Sequence, residues 1–251
     1  LALPDPEAVI RLPWKPEVAW VPANCMMNDA PLEQAPRNVL LRQIEAAAEQ
    51  GLSVKTGVEA EFFLLDPNGL EIADNLDTAE KPCYDQQAIM RRYDVIAEIS
   101  DYMIELGFMP KPIKGLTGNG CHAHISVWDK DGKKNLFTDG THDLGMSDIG
   151  WHFIGGMMKH ASALAAITNP TVNSYKRINA PRTTSGATWA PNTVTWTGNN
   201  RTHMIRVPGA GRFELRLPDG AANPYLMQAV IIAAGLSGIS SKAPPPAPGS
   251  C

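Results

Sequence analysis

Alternation of apolar and ionisable residues in three separate segments restricts the fold of this chain more than any other feature. Successive side chains of a β-strand point to opposite faces, so residues two apart share a face. In GVEAEFFLLD, residues 57–66, Glu59 and Glu61 therefore lie on one face with Cα atoms about 6.5 Å apart. Carboxylates this close repel each other, so the segment predicts a strand whose polar face meets positive charge.

Two later segments have the same design. In CHAHISVWD (121–129) and in RFELRLPD (212–219), every second residue is polar and the residues between are apolar. The three polar faces together offer three carboxylates, two imidazoles, two guanidinium groups and one hydroxyl: Glu59, Glu61, Glu214, His122, His124, Arg212, Arg216 and Ser126.

Two interpretations of these strands remain open. A strand with one apolar and one charged face commonly belongs to a sheet with one side in water. If the three strands are neighbours, however, their polar groups converge on one cavity. Carboxylates with imidazoles suit a divalent cation such as Mg²⁺ or Mn²⁺, and guanidinium groups nearby suit phosphate. Further basic residues, Lys176, Arg177, Arg201 and Arg206, lie in two polar stretches between the second and third segments.

The remaining pattern predicts an α+β fold, with a curved, mainly antiparallel sheet and helices on its outer face. Helical periodicity covers residues 36–51, 86–107, 148–168 and 224–239. The last of these is apolar enough to be a core helix and too short for a typical membrane span. A net charge of −4 without basic runs argues against a nucleic-acid partner, and we expect no membrane partner. Four scattered cysteines favour reduced thiols in the cytoplasm.

Several of these segments, in this order, resemble the catalytic domain of the type I-like glutamine synthetase family. The resemblance is carried by GVEAEFF, KGLTGNGCHAHISVWD, NPTVNSYKRINAP and NNRTHMIRVPGAGRFELRLPDGAANPYL. It implies the guanido-kinase-like fold of that domain over residues 36–240. Residues 1–35 would then be a remnant of an amino-terminal β-grasp region with its linker. The proline-rich composition of residues 241–251 predicts a disordered tail.

The resemblance also implies an activity, namely ATP-dependent ligation of glutamate with ammonia through a γ-glutamyl phosphate intermediate. Mg²⁺ or Mn²⁺ would be the cofactor, and a homo-oligomer is expected. By this resemblance, Glu59, His122 and Glu214 would bind one metal ion, and Glu61 would bind a second. Arg201 and Arg216 would balance the charge of the phosphoryl group and of glutamate, and Arg177 with the backbone of Gly118 would bind glutamate. The residues on the nucleotide side would be His124, Ser126, Arg206 and Arg212.

The sequence also departs from the family pattern. The family has two further glutamates for the second metal ahead of the GNG loop, but no acidic residue lies between Phe108 and His122 here. Trp189 stands where many relatives have a glutamate. Two alternatives to glutamine formation therefore stay open: a catalytically impaired or inactive relative, and a ligase that joins glutamate to another amine.

Overall fold

The computed structural model describes residues 1–12, 15–63, 90–91, 93–95, 118–180 and 189–249. Within these residues, the strands are β1 (Ala2–Pro4), β2 (Ile10–Arg11), β3 (Ala19–Trp20), β4 (Ala23–Met27), β5 (Ala30–Pro31), β6 (Leu52–Ala60), β7 (Cys121–Asp129), β8 (Trp196–Thr197), β9 (Ile205–Gly209) and β10 (Arg212–Leu215). The α-helices are α1 (Pro36–Glu49), α2 (Asp148–Lys159), α3 (Ala161–Thr168), α4 (Val172–Ile178) and α5 (Pro224–Ser241). Short 3₁₀ turns cover Pro6–Ala8 and Asp143–Gly145.

The central sheet of the described chain has the strand order β6-β7-β10-β9-β8. Its pairs are antiparallel, except that β8 runs parallel to β9. The three segments with alternating faces are therefore direct neighbours, as β6, β7 and β10. This sheet, with helices packed against it, confirms the α+β class.

The apolar faces of β7 and β10 form the core, as the alternation predicts. Ile125, Val127 and Phe213 are fully buried, together with side chains of α2 and α5. The ring of Phe213 lies 6.0 Å from that of Phe137 and 5.8 Å from that of Phe153, measured between centroids. Because one face of these strands is sealed in this way, their polar side chains must all project from the other face.

Helices α2 and α5 approach each other through glycines. A Cβ at Gly156 would lie 2.1 Å from the carbonyl oxygen of Ala234, and one at Gly238 would lie 2.1 Å from that of His152. Among the described residues, α5 is the helix that is long and apolar enough to cross a membrane by length and composition. Much of it is buried in the core, which agrees with the expectation of a core helix.

The structure differs from the expected elements in several places. The helix expected over 148–168 is two helices, because the backbone leaves helical geometry at His160 (φ −101°, ψ 15°). Strand β6 runs from Leu52 to Ala60. It therefore begins five residues before the alternating segment 57–66 does. Near the end of β6 the apolar face is not covered as it is in β7 and β10, since Val58 is 41% exposed. Of the helix expected over 86–107, residues 90–91 and 93–95 are helical, and the rest lies outside the described residues.

Both ends of the chain make defined contacts. The amino-terminal strands form a β1-β4-β5 sheet and a β2-β3 hairpin, and Arg37 of α1 bonds Asp5 and Asn24 of this region. The tail predicted over residues 241–251 begins with Ser241, the last residue of α5, and its described residues 242–249 lie beside β8. Trp196 Nε1 donates to the Pro246 carbonyl at 2.7 Å, and the Trp196 carbonyl accepts the Gly249 amide at 3.0 Å.

Candidate active site

Strand register brings the predicted polar residues into two rows on the open face of the sheet. In the first row, His124 of β7 lies opposite Glu214 of β10, and Glu214 lies opposite Arg206 of β9. One step along the strands, Glu59 of β6 lies opposite His122 of β7. Since directly opposed residues share a face, these five side chains converge as the second interpretation of the alternation required.

Glu214 is the centre of this cluster and is only 1% exposed. Its Oε2 accepts a hydrogen bond from Arg206 Nη1 at 2.6 Å, and its Oε1 accepts one from Arg216 Nη1. His122 Nδ1 lies 3.5 Å from the same Oε1. A buried carboxylate needs such partners. Two guanidinium groups share this one carboxylate, and the carboxylates of Glu59 and Glu61 supply further negative charge close by.

A candidate cation site lies beside Glu214. Ligand atoms of Glu59, His124 and Glu214 all lie within 4.8 Å of one another, and Glu59 Oε1 is 3.0 Å from His124 Nε2. The other ring nitrogen of His124, Nδ1, is buried without a hydrogen-bond partner. Two carboxylates and an imidazole are a mixed oxygen and nitrogen donor set that fits a divalent cation.

The two neighbouring glutamates tolerate each other because each has separate partners. Glu59 contacts His124, whereas Glu61 Oε2 accepts the Gly120 amide at 2.6 Å and its Oε1 lies 3.8 Å from His122 Nδ1. Both side chains also reach solvent, at 61% and 50% exposure. The repulsion inferred from the sequence is therefore relieved by one imidazole, one backbone amide and water.

Gly120 is a site residue that the sequence analysis missed. A Cβ at this position would lie 2.5 Å from His122 Nε2 and 3.0 Å from Arg177 Nη2, so only glycine fits there without displacing them. Gly118, the glycine predicted to assist glutamate binding, lies in the same GNG loop two residues before this contact. The sequence signal was present in the paired glycines, but it did not indicate which of them approaches the cluster.

His122 is held in its neutral form. Burial lowers its pKa from 6.5 to about 2, and the positive charges of Arg216 and Arg177 act in the same direction. A neutral imidazole keeps a lone pair for a metal ion and cannot form an ion pair with the glutamates beside it. His122 therefore remains a second candidate ligand, next to His124.

Arg177 projects from the last turn of α4 and is 3% exposed. Its Nη1 donates to the Leu217 carbonyl at 3.0 Å and its Nη2 to the Arg216 carbonyl at 3.2 Å. Burial lowers the pKa of Arg177, while the charges of Asp219 and Glu61 raise it. A guanidinium has five N–H donors, so these two bonds leave donors available for a bound carboxylate.

The remaining predicted residues, Arg201, Ser126 and Arg212, lie on the loop before β9, on β7 and at the start of β10. The carbonyl of Arg201 accepts from Arg216 Nε at 2.9 Å, which ties its loop to β10. Ser126 lies further along β7, where its Oγ accepts from Trp128 Nε1 at 2.9 Å. Arg212 is exposed at the start of β10. Asn199 was not foreseen: its Oδ1 accepts from Arg206 Nε and Nη2 at 2.9 and 2.7 Å and so fixes that guanidinium.

Comparison with known families gives a clear assignment. The family described as glutamine synthetase, catalytic domain, matches residues 33–103 and 70–250. The glutamine synthetase of Rhizobium meliloti is 62% identical over 294 residues, covering 97% of this chain and 68% of that protein. The glutamate–methylamine ligase of Methyloversatilis universalis is 37% identical, covering 99% of this chain and 68% of that protein.

The chain is also similar to a solved structure over its whole length. The structure titled GmaS/ADP complex, conformation 1, has a TM-score of 0.91 and 47% sequence identity, and the match covers 100% of this chain and 70% of that one. The fold, the motif order and the convergence of the polar strand faces thus agree with the sequence matches. The chain belongs to the glutamine synthetase family, a family of ligases, and carries the catalytic domain of that family.

Proposed function

We propose that this chain catalyses ATP-dependent ligation of glutamate with ammonia through a γ-glutamyl phosphate intermediate. The observation that carries the proposal is the buried Glu214 with Arg206 and Arg216 on either side and an imidazole–carboxylate cluster adjoining it. Phosphoryl transfer needs positive charge fixed in advance around the transferring group and a pocket that excludes water. The two guanidinium groups held in place by Glu214 support this use.

Each residue of the cluster has a proposed role. Arg216 and Arg201 balance the charge of the transferring phosphoryl group, and Arg206 and Arg212 face the nucleotide phosphates. His124 and Ser126 lie on the nucleotide side of β7. Arg177 binds the carboxylate of glutamate, and the glycine loop at Gly118 and Gly120 lets the substrate approach the backbone closely.

Mg²⁺ or Mn²⁺ is the proposed cofactor. Glu59 and Glu214 would hold it together with one imidazole, which is His122 by resemblance to the family and His124 by the distances within the cluster. Glu61 would serve a second ion. When bound, such a cation neutralises phosphate oxygens and orients the phosphoryl group toward its acceptor.

One observation favours the alternative of an impaired enzyme. The match to the Rhizobium meliloti protein spans 294 residues, whereas this chain has 251. At least 43 positions of the matched region therefore have no counterpart in this chain. No acidic residue lies between Phe108 and His122, where the family has ligands for the second ion. A single carboxylate, Glu61, holds a divalent ion weakly unless substrate and water complete its shell.

A second observation favours another amine as the substrate. The chain is similar to a glutamate–methylamine ligase as well as to glutamine synthetases, and Trp189 replaces an acidic residue found in many relatives. The higher identity to the Rhizobium meliloti glutamine synthetase supports ammonia as the first candidate.

The activity is tested with hydroxylamine in place of ammonia. Purified chain with ATP, Mn²⁺ and glutamate should form γ-glutamyl hydroxamate, which a ferric colour reaction detects. Glu214→Ala should reduce the product to background, while Asp131→Asn, in an exposed turn, should leave it unchanged. Product at background level from the unaltered chain would favour the impaired relative. Competition of ammonia with methylamine then identifies the preferred amine.

The cation site is tested separately from activity. Calorimetry with Mn²⁺ and a nonhydrolysable ATP analogue should show binding that weakens in Glu59→Gln. Comparing His122→Ala with His124→Ala identifies the imidazole ligand, since only the true ligand should weaken Mn²⁺ binding by about tenfold or more. Equal binding by the unaltered chain and both variants would refute the site. A cytoplasmic location and assembly into a homo-oligomer complete the proposal.

A further inference from the structure

Asp219 is a buried carboxylate to which the proposed reaction gives no role. It follows β10 in the loop that leads to α5, and it is fully buried. Its Oδ1 accepts the Ala221 amide at 3.0 Å, and its Oδ2 accepts from Asn169 Nδ2 at 3.0 Å. Burying a carboxylate is costly unless positive charge and hydrogen bonds compensate for it. A positively charged group near Asp219 is therefore expected to compensate for its buried charge.

Arg177 is that group. The Leu217 carbonyl that accepts from Arg177 Nη1 also accepts from Asn169 Nδ2 at 2.9 Å. One side-chain amide, that of Asn169, therefore connects the carboxylate of Asp219 to the carbonyl that holds the guanidinium. Burial lowers the pKa of Arg177, and the charge of Asp219 is the first influence that opposes this effect.

The local backbone fixes this connection in space. Asn169 follows the last residue of α3, and Thr171 begins α4 with a capping box in which it and Ser174 exchange hydrogen bonds. The amide of Asp219 donates to the Thr168 carbonyl at 3.2 Å, so the loop after β10 is attached to the junction of α3 and α4. Arg177 lies at the end of α4, so its position depends on this junction.

We propose that Asp219 is the positioning residue of Arg177, acting through Asn169 and the Leu217 carbonyl to hold the guanidinium where it binds the carboxylate of glutamate. The two carbonyl contacts fix one side of the guanidinium and leave its other donors for the substrate. Without the charge of Asp219, the hydrogen bond that holds the Asn169 amide is weakened, and the buried positive charge of Arg177 is no longer compensated. This inference rests on the proposed function, because glutamate binding by Arg177 is part of that proposal.

A double-mutant cycle tests the inference. Asp219→Asn preserves the side-chain shape and removes the charge, and Arg177→Ala removes the group it is proposed to position. Calorimetry measures glutamate affinity in the presence of Mn²⁺ and a nonhydrolysable ATP analogue, with circular dichroism to establish folding. We expect Asp219→Asn to weaken glutamate binding by about tenfold in the unaltered background and not at all in the Arg177→Ala background. Asp131→Asn, a matched exposed control, should change neither.

The outcomes separate this inference from the proposed function. Equal loss of affinity from Asp219→Asn in both backgrounds would assign Asp219 a general structural role and overturn the inference alone. Unchanged affinity in Arg177→Ala, or no glutamate binding by the unaltered chain, would refute the proposed role of Arg177 and the inference with it. If Asp219→Asn does not fold, Asn169→Ser replaces it in the same cycle, because it removes the bridging amide without changing the charge.

Discussion

Replacing Glu214 by glutamine is the sharpest test of the charge arrangement in this protein. The carboxylate is 1% exposed and accepts hydrogen bonds from both Arg206 and Arg216. Glutamine keeps the shape of the side chain, but it loses the negative charge and turns an N–H donor toward one of the two guanidinium groups. The substitution therefore leaves two partly or fully buried cations without their common counter-charge.

The size of the effect follows from this geometry. Removing one partner of a buried ion pair costs about 3–5 kcal/mol, because the remaining charge stays desolvated. The total free energy of unfolding of a domain is about 5–15 kcal/mol, so this loss is a large part of it. For a chain of this size, each kcal/mol lowers the melting temperature by about 2–4 °C, which gives an expected decrease of about 6–20 °C.

Urea denaturation in EDTA, followed by circular dichroism, measures this loss without a metal contribution. Glu59→Gln is the matched control: it lies in the same cluster, but its side chain is 61% exposed, so we expect a change within about 1 kcal/mol. Equal losses in the two variants, or a loss below about 1 kcal/mol in Glu214→Gln, would show that the arginines are not balanced by Glu214 and would refute the reasoning.

Three further predictions concern the contact between α2 and α5, the aromatic core and the pH dependence of stability. Gly156→Ala should destabilise the chain by about 1–3 kcal/mol in urea melts, because a Cβ would lie 2.1 Å from a backbone carbonyl of α5; Gly140→Ala, where nothing lies within 4 Å, is the control, and equal stability would contradict the close helix contact. Phe213→Ala should cost about 3–5 kcal/mol by the same measurement, since it empties the centre of the aromatic cluster; a loss below about 1 kcal/mol would contradict its burial. Because burial lowers the pKa of folded His122 to about 2 from 6.5, the folded chain binds fewer protons than the unfolded chain, and stability should fall as the pH drops below 6.5. His122→Gln should reduce this slope by about 1.4 kcal/mol per pH unit in melts in EDTA between pH 6 and 4, and an unchanged slope would refute the assigned cause.

Alternation in the sequence was sufficient to predict which residues of β7 and β10 face the core and which face the site. Ile125 and Phe213 are buried, while His124 and Glu214 meet across the strands. This worked because the period of two is a property of the extended backbone itself. The same rule was less successful for β6, where Val58 is exposed, since the period does not reveal whether anything covers the apolar face.

The details of the site depend on distances that a linear pattern does not contain. The sequence indicates the GNG loop, but the lack of space for a Cβ at Gly120, beside His122 and Arg177, arises only in the folded chain. Asn199 and Asp219 are ordinary polar residues in the sequence. The partner of Asn199, Arg206, is 7 residues away and that of Asp219, Asn169, is 50 residues away, and no sequence pattern indicates either contact. The break at His160 was also hidden, because apolar periodicity continues through it.

The register of the central sheet restricts where insertions and deletions can be accommodated in this protein. A one-residue shift of β7 against its neighbours would turn His122 and His124 into the core and bring Ile125 out beside Glu214. A change of two residues would keep the faces but shift each imidazole one row away from its glutamate. We therefore expect natural or engineered length variation in this sheet to be confined to the turns that connect its strands.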